Sequence, residues 1–249
     1  MQYKPNITLQ HTNPYTVTRK IIEDQKNYTH AVGDFTSLIQ SVIVACKYIA
    51  TKVRKAGIAN LYGAQDSEEK NASGDTQRKI DVLSNEVFCN ALKATGMVCC
   101  MVSEEEENAI IIKNSEGKYI LAFDPLDGSS NIDCNVSIGS IFGIWKKGED
   151  EEINDQLPLK KSSELLASGY CCYGSACQLV LCSGGDVNGY TLDPSIGEFI
   201  LTHPKIMMPE SGAIYSINEG NAQHWEEPIT KYVQTRKFPL EGQKVHSLR

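Results

Sequence analysis

The 249-residue sequence has no Cys-x-x-Cys pair, no clustered histidines, no long apolar run and no lysine–arginine block. Each absence removes a class of protein. Its nine cysteines are odd in number and sit mostly inside apolar runs, as at Cys99-Cys100, Cys171-Cys172 and Cys182. That usage reads as buried reduced thiols rather than a disulfide framework, and five scattered histidines supply no zinc-ligand spacing. The most apolar stretch, 41–50, is interrupted by Lys47 and is far too short to span a bilayer, so no membrane partner is expected. A net charge of −7 without a basic cluster argues against a nucleic-acid surface. The N-terminal residues lack the apolar core of a secretory signal, which points to the cytoplasm. The sequons at Asn6, Asn27, Asn71 and Asn135 are then read as chance matches.

What is present is an ordinary globular composition, 41% apolar and 22% charged, with helical patterning first and strand patterning afterwards. The first 31 residues read as irregular. Leu38, Val42, Cys46, Ile49 and Val53 recur at helical spacing and predict a helix over 35–54, with Lys52, Arg54 and Lys55 at its end. A polar loop at 65–74 leads to a second helix over 76–93. Strand-like runs follow at 97–102, 136–145, 165–173, 178–183, 187–192, 198–202 and 213–217, and 109–113 with 119–123 reads as a hairpin. A last helix covers 227–237, and the charged stretch 146–161 reads as a solvated loop. Helices before strands, without strand–helix alternation, indicate an α+β layering.

Two of these strands run into acids. The run 97–102 continues as Ser103-Glu104-Glu105-Glu106-Glu107, and 119–123 continues as Asp124-Pro125-Leu126-Asp127-Gly128-Ser129-Ser130. If the two strands are parallel neighbours, both acid groups meet at one sheet edge, where ligands collect in open sheets. Two carboxylates ~4 Å apart at an effective dielectric near 20 repel by roughly 4 kcal/mol, so a convergent set requires protons or a cation. Oxygen donors without histidine or cysteine select Mg²⁺ or Mn²⁺. A bound cation turns an acid-lined pocket into a phosphate site. Pro125 is expected to fix a turn that aims Asp124, the Leu126 carbonyl and Asp127 at one point. Gly128 would then admit close approach, and Ser129 and Ser130 would offer hydroxyl and N–H donors. Asp-Pro or Asp-Gly alone would mark only an ordinary turn. Asp75 could equally be a helix cap, and Asp81 a solvated surface acid.

The segments GKYILAFDPLDGSSNID, MVSEEEENAI, KAGIANLYG, SGDTQRKIDVLSNE, LDPSIGEFIL and IYSINEG together resemble fructose-1,6-bisphosphatases of the eukaryotic cytosolic type, almost continuously from Asp34 to Phe238. The first segment alone would also admit inositol-type monophosphatases. The resemblance implies a layered αβαβα sugar-phosphatase fold, with an N-terminal domain over 1–205 and the start of a sugar-phosphate-binding domain over 206–249. It implies Mg²⁺-dependent hydrolysis of fructose 1,6-bisphosphate in gluconeogenesis and assembly as a tetramer.

By position, the resemblance makes Glu104, Asp124, the Leu126 carbonyl and Asp127 metal ligands, joined by Asp75 from a mobile loop that carries Tyr62. Asp81 and Glu105 become the acids that take the proton of the attacking water. Asp127, Gly128, Ser129, Ser130, Asn218 and Arg249 become substrate contacts. It also implies a separate site for AMP as inhibitor, at Val32, Gly33, Asp34, Phe35 and Thr36 with Lys118, Tyr119 and Lys146. Lys146 stands where the family has an arginine, and it cannot grip a phosphate with two parallel bonds. The family sequence continues past the segment matched by 244–249. The expectation is therefore a truncated chain with an unpaired edge near Ser216 and impaired activity, or a regulatory partner of full-length subunits.

Overall fold

Segment 119–127, read as a strand running into acids, is the long third strand of an eight-stranded mixed sheet. The computed structural model describes residues 13–26, 33–59, 78–242 and 246–248. Val32, Tyr62 with its loop, Asp75, Arg249 and the sequons at Asn6, Asn27 and Asn71 lie outside the described residues. The chain divides into two compact units, Met1–Ile206 and Met207–Arg249.

The first unit opens with α1 (Val17–Gln25), α2 (Asp34–Arg54) and α3 (Lys79–Lys93). The strands follow as β1 (Val98–Ser103), β2 (Ile110–Ile111), β3 (Tyr119–Asp127), β4 (Ile138–Lys146), β5 (Ala167–Tyr173), β6 (Cys177–Cys182), β7 (Val187–Asp193) and β8 (Glu198–His203). Their spatial order is β2-β1-β3-β4-β5-β6-β7-β8. From β3 onward each strand pairs antiparallel with the next, so short turns suffice. The β1–β3 pair is parallel, as the convergence of two acid-bearing ends requires.

Helix α2 forms because Leu38, Ile39, Val42, Ile43, Cys46, Ile49 and Ala50 fall on one stripe, and all are buried. The stripe packs with Ile80, Phe88 and Leu92 of α3 against Leu121, Phe123, Phe142, Ile144 and Leu179 of the sheet in one continuous core. Phe88 stacks on Phe123 at 5.0 Å between ring centroids, tying α3 to the strand that carries Asp124. A smaller cluster of Cys99, Cys100, Ile120 and Leu157 lies apart from that core. Leu157 comes from the charged loop, which is therefore anchored rather than wholly solvated.

Two sequence expectations fail here. Residues 17–25 are helical, not irregular: Thr16 caps Arg19 N–H, Val17 and Ile21 are buried, and Arg19 pairs with Glu23 and Lys20 with Asp24 along the exposed side. The segment is short and weakly apolar, and docking against β8 stabilises it. The hairpin expected from 109–123 does not form either. β2 pairs antiparallel with β1 (Cys100 opposite Ile111), and β1 sits between it and β3. Periodicity located those strands without giving their partners.

In the second unit β9 (Ile214–Tyr215) and β10 (Ser247–Leu248) form a parallel two-stranded sheet. Helix α4 (Glu227–Lys237) begins with proline in its first turn and ends in Arg236 and Lys237, a favourable arrangement at both ends. Among the described residues no helix is long and apolar enough to cross a membrane.

Candidate active site at the acidic ends of two parallel strands

Asp124 and Asp127 belong to β3 itself rather than to a turn beyond it. Asp124 lies opposite Ile141 and Asp127 opposite Gly139, so three residue steps on β3 face two on β4. In a regular strand, residues three apart point to opposite faces. One extra residue at Pro125-Leu126 cancels that alternation, so a bulge does the work expected of a proline turn. The bulge is braced from behind. Ser140 Oγ donates to the Pro125 carbonyl at 2.7 Å and shares a 2.7 Å hydrogen bond with Tyr173 Oη, and Ser140 is fully buried. The Leu126 N–H donates to Asp124 Oδ1 at 3.0 Å.

Beyond the bulge, Gly128 has φ 78° and begins a short 3-10 helix, Ser129–Cys134. A Cβ there would meet only ordinary contacts, the nearest at 3.6 Å, so glycine serves the backbone angle rather than close packing. The turn is held by Arg78, which pairs with Asp133 at 2.6 Å and donates to the Ser130 carbonyl at 3.4 Å.

The Glu104 N–H donates to the Phe123 carbonyl at 3.1 Å, continuing the β1–β3 ladder to the acids. Asn85 of α3 supports this end. Ser103 Oγ donates to Asn85 Oδ1 at 2.8 Å, Asn85 Nδ2 donates to Glu106 at 2.8 Å, and the Glu105 N–H donates to Ser103 Oγ at 3.3 Å. Glu105 is buried.

Asp81 is 3% exposed, which excludes the solvated-acid reading. As the third residue of α3 it accepts the Arg78 N–H at 2.8 Å, a helix-capping bond, and Ser129 Oγ donates to the same oxygen at 3.1 Å. Its other oxygen is buried and has no hydrogen-bond partner among the described residues. Burial pushes its carboxyl above the usual aspartate range despite these donors, and Glu104 adds to the push. Asp124 is driven up to about 6, by burial first and then by Glu104, Asp127 and Asp81, against the Leu126 N–H. Asp124 thus feels Asp81 of α3, Asp127 of β3 and Glu104 just beyond β1. Among the described residues no three acids already share a single ion-sized point.

The donor set fits a hard divalent cation. It is all oxygen, it strains against its own charge, and one buried carboxylate oxygen has no partner among the described residues.

Asn218 lies in the second unit, where its Oδ1 accepts the Gly220 N–H at 3.0 Å and caps the short helix Glu219–His224.

The other expected site gathers at the opposite end of β3. Gly33 opens α2 with φ 89° and no side-chain cap. Lys118 reaches Asp34 at 3.7 Å, the Phe35 and Tyr119 rings lie 5.8 Å apart, Thr36 donates to Gln25 at 2.6 Å, and Lys146 pairs in register with Tyr119. Sequence reasoning missed Arg78, Asn85, Ser103, Ser140 and Tyr173. Asn85 follows Asp81 by one helical turn and was within reach of a periodicity argument, whereas the Ser140–Tyr173 brace has no local signal.

Residues 15–204 match the family model "Fructose-1-6-bisphosphatase, N-terminal domain". The chain is 51% identical over 239 residues to cytosolic fructose-1,6-bisphosphatase of Arabidopsis thaliana, covering 96% of this chain and 70% of that protein. Its fold superposes on the holo form of Leishmania major fructose-1,6-bisphosphatase with a TM-score of 0.87 and 42% identity, over 95% of this chain and 72% of the other. The T-state form of the same enzyme gives 0.80 and 40%, over 94% and 71%. Two parallel strands ending in acids, and a bulge that turns Asp124 and Asp127 together, therefore belong to a member of the fructose-1,6-bisphosphatase family of phosphoric monoester hydrolases.

Proposed function

We propose that this chain hydrolyses the 1-phosphate of fructose 1,6-bisphosphate in the cytoplasm, giving fructose 6-phosphate and phosphate, with Mg²⁺ held by Glu104, Asp124, the Leu126 carbonyl and Asp127. The observation that carries the reading is the convergence of Asp81, Glu104 and Asp127 on Asp124, whose carboxyl they raise. When bound, the cation supplies a lowered water pKa and neutralises charge on the phosphoryl oxygens, and Mn²⁺ suits the same donors. Asp75 is assigned to the same ligand set.

Asp81 and Glu105 accept the proton released by the attacking water. A buried aspartate with one oxygen unpartnered among the described residues and a raised pKa is closer to neutrality, where a general base is most effective. Ser129 and Ser130 hold the phosphoryl group after the Gly128 turn, and Asn218 and Arg249 contribute to substrate binding. Phosphate release from the purified chain with Mg²⁺ tests the reading. The bisphosphate should be turned over in preference to inositol monophosphate, and the reverse preference would refute it.

The lysine-lined end of β3 is proposed as an AMP site that inhibits, within a homo-oligomer of four subunits. Gly33 through Thr36 present a helix start to the phosphate, Val32 is assigned to the same set, and Lys118, Tyr119 and Lys146 close the far side. Calorimetry with AMP checks this. Lys146→Arg should tighten binding several-fold, since a guanidinium can make two parallel bonds to phosphate.

A further inference from the structure

Cys46 of α2, Cys171 of β5 and Cys177 of β6 are all buried, and none takes part in the proposed hydrolysis. The Cys171 and Cys177 sulfurs lie 3.6 Å apart. Cys177 lines a cavity of about 320 Å³ shared with Val53, Arg54, Asn135, Tyr173 and Ser175, which gives a small polar oxidant a path to this sulfur.

We propose that Cys171 and Cys177 are a peroxide-oxidised dithiol whose closure to a disulfide disturbs the bulge carrying Asp124 and Asp127. Cys177 is the attacking sulfur. The Cys171 S–H donates to it, and it stands in the cavity with Arg54, whose guanidinium also favours the thiolate. Together these hold the Cys177 thiol below its ordinary value despite burial, while Cys171 is pushed well up and stays protonated. The Cys177 thiolate attacks one oxygen of a hydroperoxide. An S–O bond forms, the O–O bond breaks, and the departing hydroxide or alkoxide takes up a proton. The Cys171 thiol then gives up its proton as its sulfur attacks the Cys177 sulfenic acid. The S–S bond forms, the S–O bond breaks, and water leaves. Two thiols are oxidised as one peroxide is reduced.

Closure has a structural consequence. Cys177 lies directly opposite Tyr173, and Cys171 opposite Leu179, so the two cysteines are diagonal neighbours across the β5–β6 hairpin. Diagonal positions lie about 7–8 Å apart between Cα atoms, whereas a disulfide needs sulfurs at about 2.05 Å and Cα atoms within about 6.8 Å. The hairpin must tighten at Tyr173. That residue's hydroxyl holds Ser140, which holds the Pro125 carbonyl in the bulge. A two-bond relay therefore connects the thiol pair to the acids.

The full chain carrying Cys134→Ser, which removes the exposed thiol, is treated with hydrogen peroxide, unfolded, alkylated and cut with chymotrypsin beside Tyr173. The expected product has lost two hydrogens, has Cys171 linked to Cys177, and reverts with dithiothreitol. Hydrogen exchange at the 124–129 amides should rise several-fold on oxidation, and an added Cys177→Ser substitution should abolish the rise. A Cys46–Cys171 link, both thiols still alkylatable, or a link with unchanged exchange would each overturn the proposal. None of these readouts depends on phosphatase activity, so a failure here is distinct from a failure of the functional reading.

Discussion

β3 starts between two lysines, beneath the first turn of α2, and ends in two aspartates braced by a buried serine and tyrosine. At the start the charges are exposed. Lys118 and Asp34 are 61% and 34% accessible, and such a pair is worth under about 1 kcal/mol and weakens with salt. At the end Asp81 is buried and Asp124 half-buried, and burial raises both carboxyls above the ordinary aspartate range, Asp124 to about 6, while Asp127 stays exposed. One strand thus joins an exposed, lysine-lined end to an end where burial raises the acids. The difference lies in solvent. Water screens charge at the first end more fully than at the second.

The largest effect that sharpens this contrast comes from Asp81→Asn. The amide oxygen keeps the helix-capping bond, but the proton acceptor is gone, so phosphate release should fall by about 10²–10⁴-fold with AMP binding by calorimetry unchanged. Next is Ser140→Ala, far from the lysine end. Leaving the Pro125 carbonyl and the Tyr173 hydroxyl without this partner should cost about 1–3 kcal/mol in urea unfolding. It should also weaken metal binding by roughly 10–100-fold. Equal losses at both ends of β3 would break the comparison.

Gly33→Ala and Gly128→Ala form a matched pair. Both glycines have positive φ, and neither Cβ would be crowded, so each substitution should cost about 1–2 kcal/mol of stability by thermal or urea melts. Their functional effects should separate, with only Gly128→Ala lowering phosphate release and only Gly33→Ala lowering AMP affinity.

The smallest effect is a pH slope. Asp124 rises from 3.8 to about 6 in the folded chain. Between those values the folded state holds a proton that the unfolded chain has lost, so metal-free stability falls as pH rises through that window. Asp81 contributes with the same sign. Urea midpoints measured without metal from pH 4 to 6 should decline, and Asp124→Asn should flatten the decline.

The helical stripe of α2, the strand identities and the two acid-bearing ends were readable because each is encoded within a few neighbouring residues. Helix α1 was missed because its apolar face is two residues wide and depends on β8. The 109–123 hairpin was misread because proximity in sequence does not choose a strand's partner, and β1 intervenes between β2 and β3. Pro125 was assigned a turn because Asp-Pro-x-Asp-Gly favours one locally, whereas pairing with β4 keeps the segment in the sheet and turns it into a bulge.

By itself the sequence determined which residues could carry charge, hydroxyl and thiol chemistry, and that acids would follow two strands, since residue identity and short-range period are local properties. Only the tertiary structure decided that β1 and β3 run parallel, that a bulge brings Asp124 and Asp127 together, and that Ser140 and Tyr173 stand behind them. Those outcomes depend on strand register and on burial, which arise from packing between segments distant in the chain.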